Sequence, residues 1–177
     1  MFVELVRTRR SVRRYLATPV EPAQAELLLE AALRAPSSQG QSPCHFVVVS
    51  DPKLLSDLSR AKPHGASFLG GAPLAIVVCA DPSKGDVWVE DAAIATTFVH
   101  LAAASLGLGS CWIQIRGRVH DASQTSSAYV AQCLQLPPGL EVEAIIAVGS
   151  PAESPSPHPH DSLAFSRVSY DRFGQGL

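Results

Sequence analysis

From Ala92 to Cys111 the chain carries no acidic or basic side chain except His100. About 20 apolar residues are enough to cross a bilayer. This run, however, is built from Ala, Thr, Ser and Gly rather than Leu, Ile and Val, and Glu90 and Asp91 open it. A helix that is apolar all round in a water-soluble chain lies buried at its centre. The expected element is therefore a long central helix over residues 88–106, stopped by Gly107, and no membrane segment.

The remaining elements arrange themselves around that helix. A short helix is expected over residues 2–7. Pro22 suits the first position of a second helix, where Ala25, Leu28, Leu29, Ala32 and Leu33 form an amphipathic stripe that stops before Pro36. Apolar runs at 45–50, 74–80, 110–115 and 142–148 read as strands, with helices over about 52–60 and 126–136. Continuous apolar strands separated by helices indicate a sheet covered on both faces. At 177 residues the chain fits one domain, 1–177. Residues 151–177 form a Pro-punctuated, extended tail whose Leu163, Phe165, Val168, Tyr170 and Phe173 need a docking surface, expected on the partner subunit. Hydrophobic residues make up 46 % and charged residues 17 %, a lean surface that points to a subunit interface.

Cys44, Cys79, Cys111 and Cys133 form no CxxC pair, and the charged N-terminus leaves no signal-peptide core. A reducing cytoplasm is the expected compartment. The net charge of -2 argues against nucleic acid as partner. Yet Arg7, Arg9, Arg10, Arg13 and Arg14 crowd into eight positions, and guanidinium forks suit bidentate capture of phosphate, with Ser11 as a further donor. The loop Ala35–Pro43 offers short polar side chains and backbone groups to a heteroaromatic edge. Gly107-Leu108-Gly109-Ser110-Cys111-Trp112 is no dinucleotide fingerprint: Trp112 stands where the third glycine belongs, and the glycines follow a helix. His158, His160 and Asp161 read as a solvated tail, with no metal. No paired catalytic carboxylates, GxSxG elbow, HExxH helix or P-loop is present, so a cofactor must carry any reactivity.

In this order the segments resemble the nitroreductase family of flavoproteins. Arg9-Arg10-Ser11-Val12-Arg13-Arg14-Tyr15 is similar to its RRSxRxY/F signature, and Ala35-Pro36-Ser37-Ser38 with Pro43 and Phe46 to its APSxxNxQPWxF loop. Gly71-Ala72-Pro73, the stretch Leu106–Ile113, Gly149-Ser150-Pro151-Ala152-Glu153 and Arg167-Val168-Ser169-Tyr170 continue the match, closest to the short branch without the helical insertion. The resemblance implies an α+β fold around a central mixed sheet, an intertwined homodimer, and FMN in a groove between subunits. It assigns Arg9, Arg10, Ser11 and Arg13 to the phosphate, ribityl and one flavin edge. Pro36, Ser37, Ser38 and Gly40 come from the other subunit, and Gly109 and Ser110 lie near the ring.

Three departures stand out. Gly40 replaces a common Asn. Ser42 and Cys44 replace a polar or basic residue and the Trp. From Pro151 to Ser166 there is no Lys or Arg, which leaves Arg167 or Arg172 for the phosphate, or Arg116 or Arg118 as substitutes. The implied activity is ping-pong hydride transfer from NADH or NADPH through flavin N5 to a nitroaromatic, quinone or similar acceptor. The alternatives are other flavin chemistry, such as dehalogenation or oxidative breakdown, and a non-catalytic flavin-binding module.

Overall fold

The computed structural model describes residues 1–175. Its elements are α1 (Phe2–Thr8), α2 (Pro22–Leu33), β1 (Cys44–Val49), α3 (Pro52–Leu58), β2 (Leu74–Ala80), α4 (Trp88–Ser105), β3 (Gly109–Gln114), α5 (Ser126–Leu134) and β4 (Glu141–Gly149). Local chemistry sets several boundaries. Glu21 and Gln24 form a reciprocal capping box with Pro22 at the helix start. The Asp51 carboxylate accepts from Leu54 N at 2.8 Å, and the Thr125 hydroxyl accepts from Ala128 N at 3.1 Å. α4 stops at Gly107, where Leu108 N bonds back to Ala103 O.

The four strands lie in the order β1-β2-β4-β3, and every strand pair is antiparallel. This corrects the mixed sheet implied by resemblance. Among the described residues the parallel element is one bridge, Ser11 to Ser110, which lays the arginine segment along the β3 edge. β2 and β4 sit in the middle, and their side chains divide by alternation. Ala75, Val77, Cys79, Ile145 and Ala147 pack with Leu55, Leu58, Leu69 and Val130 under α3 and α5. Leu74, Ile76, Val78, Ile146 and Val148 pack with Leu28, Ala32, Ala92, Val99 and Ala103 under α2 and α4. Both faces are covered, so β2 and the Ala144–Val148 run of β4 read as unbroken apolar stretches.

α4 differs from the expectation of burial on all sides. Its buried residues, Asp91, Ala92, Ala95, Thr96, Val99 and Ala103, form one stripe, while Ile94 and Phe98 remain 37 % and 36 % exposed. The whole of α1 buries nothing, and Phe2, Val3 and Val6 face outward. The tail beyond Pro151 likewise lies open, with Leu163, Phe165, Val168, Tyr170 and Phe173 exposed. Within one chain that tail finds no cover. No helix of the described residues is long and apolar enough to cross a membrane.

Candidate functional site

The arginine segment owes its position to a glycine. A Cβ on Gly109 would come within 2.7 Å of the Val12 side chain, so only a residue without one lets the segment lie against β3. Val12 fills that contact, buried, and its N–H donates to Ser110 O at 3.0 Å. On the other side the segment is tied to the chain leaving β4: Leu16 N donates to Ser150 O, Ala152 N to Arg14 O, and the Glu153 carboxylate accepts from Arg13 N at 2.6 Å and Arg14 N at 3.2 Å. The Tyr15 hydroxyl reaches Val12 O and Ala147 O, and burial pushes its pKa up. Held this way, Arg9 and Arg10 line a groove of about 220 Å³ with Val12, Gly107, Gly109 and Glu153. The Arg10 guanidinium also donates to Ser156 O in the tail.

Beneath the groove, the His100 Nδ1 and Ser110 Oγ share a 2.7 Å hydrogen bond, and the His100 ring stacks on Trp112 with centroids 6.4 Å apart. Burial, assisted by the nearby Arg9 charge, lowers the His100 pKa to about 4, so the imidazole is neutral near pH 7. Cys111, the next residue along β3, is buried. Burial raises its thiol pKa, against the opposing pull of Arg13, a Ser11 hydrogen bond, Arg9 and Lys62. Arg13 also sits over the Phe68 ring at 5.9 Å.

The loop Pro36–Gly40 docks elsewhere. Ser38 N donates to the buried Asp91 carboxylate at 2.9 Å, and Ser42 N donates to Ser37 Oγ at 3.0 Å. Gln39, Gly40 and Ser42 all have positive φ, a costly backbone for the two non-glycine residues. Beside it the Cys44 thiol is pushed up to about 11, first by burial and then by the Asp91 charge. Asp91 lies in the first turn of α4, whereas the arginine groove meets α4 at Ala104. At 1.5 Å rise per residue these points are about 20 Å apart along the axis.

The structure therefore brings Arg9, Arg10, Ser11, Arg13, Gly109 and Ser110 together at one end of α4, and puts Pro36, Ser37, Ser38 and Gly40 at the other. Arg167 stands in a short 3-10 turn, Phe165–Arg167, of the exposed tail. Arg116 is tied to Glu143 by a 2.9 Å ion pair, and Arg118 lines a different pocket, so neither borders the arginine groove. Sequence reasoning gave no role to Asp91, His100 or Glu153. The available signals were that Asp91 opens the apolar run and His100 is its lone ionisable side chain.

Comparison with known proteins gives the family. The sequence model of the nitroreductase family matches residues 6–64 and 55–150. A protein of Archaeoglobus fulgidus, provisionally named NADH dehydrogenase/NAD(P)H nitroreductase, is 34 % identical over 155 residues, 85 % of this chain and 86 % of its own. The solved FMN-dependent nitroreductase of Clostridium difficile R20291 is 40 % identical, with a TM-score of 0.95 over 97 % of this chain and 99 % of that one. A provisionally named nitroreductase from Desulfovibrio desulfuricans, solved in complex with FMN, is 28 % identical, with a TM-score of 0.79 and 97 % of both chains covered. With its arginine segment seated on the β3 edge and these matches running through nearly all of its length, the chain belongs to the nitroreductase family.

Proposed function

We propose that the chain is an FMN-dependent oxidoreductase that passes hydride from NADH or NADPH to an electron-poor acceptor, such as a nitroaromatic or a quinone, by alternating use of one pocket. Bound FMN supplies a ring nitrogen that accepts and returns hydride. The observation carrying this reading is the arginine groove. Its backbone is fixed by Val12 N, Ser110 O and Glu153, so Arg9 and Arg10 are presented to the groove from a set stretch of chain, and guanidinium forks suit a phosphate. The Glu153 carboxylate, the one acidic group lining the groove, is engaged with backbone N–H groups of Arg13 and Arg14. The donor set fits a phosphate.

In this reading Arg9 and Arg10 hold the phosphate, Ser11 donates to the ribityl chain, and Arg13 places positive charge beside the ring. Gly109 seats Val12 and borders the groove, with Ser110 held by neutral His100. Arg167 is the candidate for a further phosphate contact from the tail. Pro36, Ser37, Ser38 and Gly40 close the cleft from a second copy of the chain. Their position at the far end of α4 and the open apolar faces of α1, α4 and the tail support a homodimer that covers α4 on its second side. The domain is taken to be the whole of 1–177. The four thiols, all free among the described residues, suit a reducing cytoplasm.

Purified protein tests the reading directly. It should be yellow, release about one FMN per chain on denaturation, and bleach anaerobically with NADH or NADPH. Steady-state lines at varied acceptor should be parallel. Arg9→Glu or Arg10→Glu should strip the flavin, and full retention by both would refute the phosphate assignment.

A further inference from the structure

Away from the arginine groove, Lys62, Pro63, His64, Arg118 and Val119 line a separate pocket of about 330 Å³. Two loops build it, and they are joined. The His120 ring nitrogen Nδ1 meets Arg60 O at 2.9 Å, so the segment after α3 is tied to the segment after β3. Arg118 is pinned by its backbone, with its N–H on Ile115 O and its carbonyl receiving Ser126 N. Opposite it the chain turns at Gly65, whose φ of +75° favours glycine, and Lys62 Nζ lies over that turn, 3.8 Å from where a Cβ would stand. The fold thus holds two cationic side chains at one small opening.

No ion pair among the described residues includes Lys62 or Arg118. Instead the two repel: the Lys62 pKa is lowered, first by burial and then by the Arg118 charge. Like charges lining one pocket without a carboxylate are a cost that a bound dianion reverses. The stretch that carries Lys62 and His64 runs on to Phe68, whose ring lies 5.9 Å under the Arg13 guanidinium, so the pocket loop and the arginine segment meet at one side chain.

Taking the flavoenzyme reading above as given, we propose that Lys62, His64 and Arg118 form the subsite for the 2′-phosphate of NADPH, which makes NADPH the preferred donor. A phosphomonoester carries nearly two negative charges at pH 7, matching the two cations that line the pocket with an imidazole beside them. A diphosphate bridge spreads single charges along an extended linker and fits the compact pocket less well.

The flavin-loaded protein is the test object. Adenosine 2′,5′-bisphosphate should bind it and compete with NADPH, whereas 5′-AMP should do so much more weakly. Lys62→Gln and Arg118→Gln should each lower the NADPH-to-NADH ratio of kcat/KM, and the affinity for the bisphosphate, by about tenfold, the effect of losing one charge-assisted contact. Lys62→Glu should do more. Equal binding of the two nucleotides, or a ratio unchanged in all three variants, would overturn the proposal. So would loss of flavin from the variants, which would make the pocket part of the FMN site. Flavin content and the yellow colour of the parent protein report separately on the underlying flavoenzyme reading.

Discussion

Gly109 carries more of the site than its size suggests. The 2.7 Å approach of Val12 leaves no space for a methyl group. Gly109→Ala should push the arginine segment off β3, costing about 1–3 kcal/mol of stability as overpacking does. Thermal denaturation and FMN content should fall together in that variant. His100 permits a second prediction. Its folded pKa of about 4 lies below the ordinary 6.5, so the native state binds fewer protons than the unfolded chain between those values. Its contribution is intact above pH 6.5, shrinks as the pH falls toward 4, and is then gone, with an upper bound of about 3 kcal/mol. Replacing it by Gln, which can still hydrogen-bond Ser110, should flatten the slope of Tm between pH 6.5 and 4; an unchanged slope would assign the titration elsewhere. The arginines and the small residues near them were legible in the sequence because their spacing forms motifs. The His100–Ser110 pair was not, since the bond forms only once the helix end folds back onto β3.

At the scale of elements, the strands announced themselves: both central ones are covered on two faces, so β2 and the Ala144–Val148 run of β4 are apolar throughout. Their directions did not, because β2 and β4 are neighbours separated by a helix, a strand and a second helix, and apolar runs say nothing about polarity. α4 was placed within a residue of its observed end, but its burial was overstated. Composition reveals that a face is apolar without revealing which body covers it. Ile94 and Phe98 are the test, being large, apolar and exposed on a helix whose other side is core. Ile94→Glu or Phe98→Glu should shift the sedimentation coefficient from that of a dimer to that of a monomer while circular dichroism keeps its helix content. Flavin should leave at the same time. A dimer that survives both changes would show that this face meets something else.

For the molecule as a whole, the two groups of residues in the proposed cleft lie toward opposite ends of one helix, about 20 Å apart along its axis within a chain. Dilution below the dimer dissociation constant should therefore release flavin, with a half-point that moves with protein concentration rather than with flavin concentration alone. A sharper consequence concerns inheritance of damage. Take one chain bearing Arg10→Glu and another bearing Ser38→Trp, each colourless alone. Refolded in equal amounts, half the pairs are hybrids by chance, and each hybrid carries one cleft made wholly of undamaged parts and one that is damaged twice. Two dead proteins then recover about a quarter of the parental flavin capacity, as a two-fold assembly with shared clefts requires; clefts confined to single chains would recover none.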